Sequence, residues 1–313
     1  MKKIGAKGVG KSFFVYKYGD IDISLPRVEK KVGFGHTGFD VSLATSEEIA
    51  SKRRDFTMNA LMFDIFSHRW LDFWGGFDDI KKKIIRVVDK KSFKEDSLRV
   101  LRAAQFSARL GFKIDSDSIK IMQDIDLGDL TKDRIFLEFE KLFSARYLEF
   151  GLYYLSKLLI FKKIFGPDLE CSSFFKTAKE LKKHQKNFEK DIYRYYFLYI
   201  LSKLNGWDLY DMLDKINAKK EYKKFYKIQP KTTETDEKSI LKVALKMPIK
   251  LWLENYNEEV KNRAKKLGVY DKKFKTPVTA QDVINSGYRK DAIGKEIGKR
   301  EIKYIDKFLS RNF

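Results

Sequence analysis

Alternation of apolar and polar positions dominates the first ninety residues, and helical spacing dominates the rest. Ser12-Phe-Phe-Val-Tyr-Lys-Tyr18 alternates and is rich in aromatics, which predicts a strand. Gly19-Asp20 signals a turn, and Ile21-Asp-Ile-Ser-Leu25 alternates again until Pro26, so the two runs predict a hairpin. Residues 39–43, 61–66 and 84–88 complete the expected strands. Between them Ser46-Glu-Glu opens a helix, the hydroxyl capping free amides and the acids favouring the positive end of the helix dipole. From residue 92 the period becomes helical. Ser92-Phe-Lys-Glu95 has capping-box spacing, and the helix behind it places Leu98, Leu101, Ala104 and Ala108 on one face until Gly111 ends it. Residues 116–125 and 131–143 predict two further amphipathic helices. Residues 150–313 are helical in pattern almost throughout, with breaks at Gly166-Pro167, Asn205-Gly206 and Gln229-Pro230 and a polar loop over 231–237. No repeat and no sustained heptad runs through them.

Composition sharpens this picture. With 313 residues, 43% of them hydrophobic, the chain can bury a large core and support more than one domain. Its formal charge is +21. So cationic a chain repels itself, and a polyanionic partner such as nucleic acid is the economical explanation; the competing one is a generally lysine-rich proteome, which the five prolines and the abundance of Lys, Phe and Tyr also suit. The single cysteine, Cys171, allows neither a disulfide framework nor a thiolate zinc site, and a reducing cytoplasm is expected. His36, His68 and His184 lack the spacing of a metal site. No apolar run reaches the ~18 residues of a membrane span, and Met1-Lys-Lys-Ile-Gly5 lacks a signal peptide's apolar segment.

The chemistry-bearing residues concentrate in Ser51-Lys-Arg-Arg-Asp-Phe-Thr-Met-Asn-Ala-Leu61, Gly75-Gly-Phe-Asp-Asp-Ile80 and Glu95-Asp-Ser-Leu-Arg-Val-Leu-Arg102. Guanidinium forks suit phosphate, a carboxylate beside an amide suits ribose hydroxyls, and an Asp/Arg pair suits the edge of a base. Asp96 and Arg99 stand three apart, which on a helix puts them on one face, able to pair and to present acceptor and donors side by side. Cytosine and adenine match such a template; guanine and uracil would leave buried groups unpaired at about 1–3 kcal/mol each. The plainer readings are a surface salt bridge for Asp96 and Arg99 and a solvated helix end for Arg53 and Arg54.

These stretches together resemble the class II tRNA nucleotidyltransferase and bacterial poly(A) polymerase family. Arg53-Arg-Asp-Phe-Thr-Met-Asn-Ala60, residues 75–86, residues 95–112, and Thr131-Lys-Asp-Arg134 with Glu138 and Lys141 are similar to successive family motifs, in order. Val9-Gly-Lys-Ser-Phe13 and Leu25-Pro-Arg-Val-Glu29 match the stretch before them, and Thr279-Ala-Gln-Asp-Val-Ile with Gly287 and Gly294 faintly resembles a tail motif of CCA-adding members. The resemblance implies an α+β fold: a partial, polymerase-β-like nucleotidyltransferase sheet head over 1–88, a helical neck that selects the base and binds RNA over 89–148, and a helical RNA-binding body and tail over 149–313. It implies transfer of CMP and AMP from CTP and ATP to a tRNA 3′ end, with poly(A) addition as the alternative within the family and non-catalytic RNA binding as the rival outside it. It gives triphosphate contacts to Arg53 and Arg54 and ribose contacts to Asp55 and Asn59. Base selection falls to Asp96 and Arg99, and Arg102 extends the basic wall; Asp79 and Arg86 become an internal brace or moving element. Two departures stand out. Gln105 occupies a point where members often carry arginine. The family's metal-binding Asp-x-Asp, which seats two Mg²⁺, should lie before the first residue of this chain, so a shortened member is expected. Asp20 and Asp22 are the i,i+2 acid pair of the early sheet that could replace it.

Overall fold

The computed structural model describes residues 5–9, 15–24, 27–31, 39–166, 171–184, 190–254 and 257–312. It is a mixed α+β fold, mostly helical with a small sheet-bearing head. Two compact units divide it: Met1–Ala178 with Lys215–Asn217, and Lys179–Asp214 with Ala218–Phe313.

All strands among the described residues belong to the first unit, in four small sheets. β1 (Lys7–Val9), β2 (Val15–Tyr18) and β3 (Ile21–Ser24) form an antiparallel meander, and Tyr18 pairs with Ile21 across the Gly19-Asp20 turn, where Gly19 takes φ 58°. This is the expected hairpin; residues 12–14, 25 and 26 of the expected runs, with positions 10 and 11 of the family-like segment, lie outside the described residues. β4 (Arg27–Lys31) pairs antiparallel with β5 (Phe39–Leu43). β6 (Met62–Asp64) pairs with β7 (Arg69–Leu71), and β8 (Ile84–Ile85) runs parallel to β9 (Lys113–Ile114). The run over 84–88 yields only two ladder residues because the next three bond elsewhere. The Thr57 amide donates to the Arg86 carbonyl at 2.9 Å, the Val88 amide to the Asp55 carbonyl at 3.3 Å, and Phe56 bridges Val87.

The helices of this unit are α1 (Glu47–Lys52), α2 (Gly76–Lys82), α3 (Lys90–Phe93), α4 (Leu98–Leu110), α5 (Ser116–Gln123), α6 (Lys132–Phe143), α7 (Leu148–Lys157) and α8 (Ile160–Phe165). Ser46 caps α1 as expected, accepting from the Ile49 amide. The expected capping box at Ser92 is absent. Asp89 caps the short α3 instead, taking the Ser92 amide at 2.9 Å, and α4 begins five residues after α3 ends, behind Ser97. Ser92-x-x-Glu95 has the right residue types, but Asp89 stands three residues earlier and its carboxylate is the stronger acceptor.

α4 is the axis of this unit. Its Val100, Leu101, Ala103, Ala104 and Ala108 are buried, and it packs on α6 and α7. The approach to α7 is so close that a Cβ at Gly151 would stand 2.8 Å from the Cβ of Ala108. Gly111 ends α4 at φ 70°, a left-handed value that glycine adopts freely.

α9 (Cys171–His184) and α11 (Leu209–Lys215) lie at the divisions between the units. The second unit adds α10 (Lys190–Asn205), α12 (Lys220–Lys227), α13 (Glu237–Ala244), α14 (Glu258–Lys266), α15 (Ala280–Asn285) and α16 (Asp291–Asn312). Its core includes Phe197, Tyr222 and Trp252, all fully buried. Tyr195 stacks on Phe225 at 4.2 Å, and the Tyr226 hydroxyl, its pKa pushed well up by burial, donates to the Tyr195 carbonyl. Thr279 and Asp282 form a reciprocal capping box at α15, and Gly287 at φ 91° turns the chain towards α16. No helix among the described residues is long and apolar enough to cross a membrane.

Candidate nucleotide site

The Arg53–Asn59 segment leaves the end of α1 and is fixed by residues further along the chain. Phe56 is wholly buried, with its ring 5.8 Å from Phe93 and 5.9 Å from Phe106. The Trp74 indole donates to the buried Ser51 hydroxyl at 2.8 Å. Thr57 donates to Asp79 at 2.7 Å, and Arg86 donates to Asp79 at 3.1 Å and to Asp115 at 2.7 Å. Asp79 and Arg86 thus tie the segment to α2 and to the start of α5. The Asp79 hydrogen bond raises the Arg86 guanidinium further above its ordinary value, against the effect of burial. Burial pushes Asp115 up, but the Ser118 amide and the Arg86 charge outweigh it, and the carboxyl lies below the usual range. The second glycine of Gly75-Gly76 serves this packing. A Cβ at Gly76 would fall 2.4 Å from the Thr57 carbonyl oxygen, so the turn lets α2 approach the segment.

Behind this brace opens a cleft of about 320 Å³, lined by Arg53, Arg54, Asp55, Asp96, Leu98, Arg99, Arg102 and Arg134. Five guanidiniums face two carboxylates, so the cleft keeps an excess of positive charge. Arg54 is exposed. Arg99 lies over the Phe93 ring at 6.0 Å and donates to the Arg53 carbonyl at 2.6 Å and to the Ser92 carbonyl at 2.7 Å, joining the arginine pair to the base of α4. Arg102 donates to Asp55 at 2.8 Å.

The structure gathers all the expected nucleotide-binding residues except Asn59 into the lining, with three differences in arrangement. Asp96 lies before the first turn of α4, which starts at Leu98, and is bridged by Arg134 at 3.0 Å. Asp55 is buried, and its oxygens accept from the Phe56 amide, the Asn59 amide and Arg102. Asp55 and Asn59 therefore turn on each other and on Arg102, so Asp55 clamps the wall. Leu98 and Arg134 line the cleft without having been expected there, although the resemblance of Thr131-Lys-Asp-Arg134 had marked the arginine.

Asp20 and Asp22 lie in the β2–β3 hairpin, away from the cleft residues in sequence, and do not share a strand. Asp20 belongs to the turn, and Asp22 on β3 sits 3.7 Å from Lys17, with both side chains more than half exposed. No group of three or more His, Cys, Asp or Glu side chains that could hold a metal occurs among the described residues. An ammonium beside one of two solvated acids is a poor donor set for Mg²⁺, which wants several oxygen ligands in octahedral array.

Residues 12–86 match the family described as "Poly A polymerase head domain". Over 148 residues the chain is 42% identical to a protein named "Multifunctional CCA protein" from Pasteurella multocida (strain Pm70), and over 150 residues 40% identical to a "CCA-adding enzyme" from Buchnera aphidicola subsp. Baizongia pistaciae (strain Bp). The matched part of the chain is thus similar to class II CCA-adding enzymes and poly(A) polymerases. Each of these two matches takes in 44% of the chain and 35% of the relative's length. At the level of fold the likeness is wider. The Bacillus stearothermophilus CCA-adding enzyme, solved in complex with CTP, superposes with a TM-score of 0.69 over 96% of this chain and 79% of that one, at 19% identity. A CCA-adding enzyme in an apo form gives 0.67 over 91% and 73%, also at 19% identity.

Proposed function

We propose that this chain is a template-independent nucleotidyltransferase that adds C and A from CTP and ATP to a tRNA 3′ end. The observation that carries this is the arginine-rich cleft between the Arg53–Asp55 segment, the base of α4, and Arg134 of α6. Its surplus of guanidiniums suits a triphosphate, whose oxygens take bidentate bonds. Relatives that share the segment are named for CCA addition, which favours tRNA over other RNA ends. In this reading Arg53 and Arg54 hold the triphosphate, and Arg134-bridged Asp96 with Arg99 presents the base-reading edge. Arg102, clamped by Asp55, closes the phosphate wall. The head comprises residues 1–88, the neck 89–148 and the body and tail 149–313. In the reaction the terminal hydroxyl oxygen bonds to the α-phosphorus, the bond to the bridging oxygen breaks, and pyrophosphate leaves. Residues Asp20 and Asp22 do not suit the metal role, and no step is assigned to them.

That last observation favours a second reading, in which the chain binds nucleotide and RNA without transfer. One experiment separates the two. Labelled CTP and ATP are supplied with Mg²⁺ and a tRNA lacking its CCA end. Incorporation of C and then A, abolished in Arg54→Ala/Arg134→Ala, supports transfer. Retained tRNA and CTP binding with no incorporation supports the second reading, and loss of both bindings sinks the site.

A further inference from the structure

Beyond the cleft, the far end of α4 gathers two guanidiniums, Arg109 and Arg146, that neither the brace nor the triphosphate wall uses. Arg102, Phe106 and Arg109 stand at i, i+4 and i+7 on one face. Arg102 and Arg109 lie over the Phe106 ring at 5.1 and 5.8 Å. Where α4 ends, the Tyr147 amide donates to the Ala108 carbonyl at 2.7 Å. The Tyr147 ring closes over the helix end, so that a Cβ at Gly111 would meet it at 3.2 Å. Arg146 lies over that ring at 5.4 Å. Arg109 and Arg146 are thus brought to the same end of α4, both exposed, each held over an aromatic ring. Neither has a carboxylate partner among the described residues. A ring under a guanidinium fixes its plane without consuming its donors, which is how an arginine is prepared for phosphate.

We infer that Arg109 and Arg146 form a phosphodiester-binding site for the RNA strand that leads into the cleft, an inference that rests on the RNA-end reading above. Arg109 lies two helical turns beyond Arg102, about 10 Å along the axis. At the ~3.4 Å spacing of a stacked strand that distance is about three nucleotides. The site therefore grips the backbone roughly three nucleotides behind the growing end, where it positions the primer without touching the incoming base. A purely structural role is the competitor: an arginine in the last turn of a helix also satisfies the negative end of the dipole.

The test uses the full chain and its Arg109→Gln, Arg146→Gln and doubly substituted variants, with Arg109→Lys as the charge-preserving control. Affinity for a tRNA lacking its CCA end is measured against salt, and affinity for CTP separately. The site requires the log–log salt slope to fall by about one for each arginine removed, with CTP affinity unchanged and Arg109→Lys closest to wild type. Slopes that do not move, with only the melting temperature lowered, would leave the helix-end role and overturn the inference. If wild type adds nucleotides and the variants keep its slope, this inference alone fails. If wild type binds no tRNA, the RNA-end reading fails and this one with it.

Discussion

At the scale of single residues, the site depends on pairs whose members are not equally exposed. Asp55 is 7% exposed and Arg102 33%. Removing the arginine leaves a buried carboxylate with only an amide side chain and a backbone amide. Breaking such a pair costs about 3–5 kcal/mol where both partners are buried, and less here because Arg102 keeps part of its water. Arg102→Ala should therefore lower the melting temperature clearly, and Asp55→Asn in the same chain should restore much of it. Two losses that simply add in a double-mutant cycle would show that Asp55 is not the clamp. Gln105 makes a complementary prediction. It is 2% exposed and its amide nitrogen has no partner among the described residues, so Gln105→Met should leave stability equal or raise it by up to about 1 kcal/mol. A clear loss in thermal unfolding would reveal a partner for that amide. Most residue types of the site were legible in the sequence because Arg-Arg-Asp and Asp-x-x-Arg suit phosphate and a base edge and stand among motifs in family order, whereas Arg134 was marked only by the resemblance of Thr-Lys-Asp-Arg. Their pairings were not: Asp96 lies outside the helix that spacing assigned it to and is bridged by Arg134, 38 positions away.

At the scale of elements, the cleft is held by a junction of short pieces, and its geometry sets two expectations. Gly75 and Gly76 look alike in sequence but do different work. Gly75 takes φ 73° with open space around it, so alanine there adds backbone strain of about 1 kcal/mol. Gly76 abuts the Thr57 carbonyl, so alanine there must displace α2 from the Arg53–Thr57 segment, at about 1–3 kcal/mol. Gly76→Ala should weaken CTP binding more than Gly75→Ala does at matched folded fraction; equal effects in titration calorimetry would detach the α2 contact from the site. The brace also has a pH signature. Asp115 has a lowered folded-state value, so its contribution is present above its unfolded value near 3.9 and is lost as pH falls through the folded one. Arg86→Ala should reduce that acid-side dependence in melts between pH 5 and 2, and an unchanged profile would remove the Arg86–Asp115 coupling. Strands and helices with long clean patterns, such as β5 and α6, lie close to where alternation and helical spacing put them. The misplaced boundaries are those where a nearby side chain or backbone outcompetes the local signal, as Asp89 does over Ser92 and the Asp55–Thr57 backbone does over residues 86–88.

At the scale of the whole molecule, the +21 charge is far larger than one nucleotide cleft requires. Five guanidiniums line that cleft, whereas the chain holds 65 lysines and arginines. Most of the cationic field therefore acts on something larger than a triphosphate, or reflects composition alone. The sign and size of the charge were readable from sequence, but its target was not, because lysines on solvated faces have no spacing that names a partner. Salt separates the possibilities. A partner that neutralises six to ten phosphates loses about 10³–10⁵ in affinity between 50 and 200 mM salt, through release of condensed counterions. The full chain should show a loss of that order for tRNA, and a much smaller one for CTP, which meets only the cleft. Discrimination of tRNA lacking its CCA end from an unrelated duplex should be weak at 50 mM, where the field dominates, and should widen at 200 mM as the unspecific part is screened away. Fluorescence anisotropy with both ligands at the two salt concentrations checks this. A tRNA affinity that hardly changes with salt would reduce the surplus charge to composition, and discrimination that vanishes at 200 mM would make the RNA contact purely electrostatic.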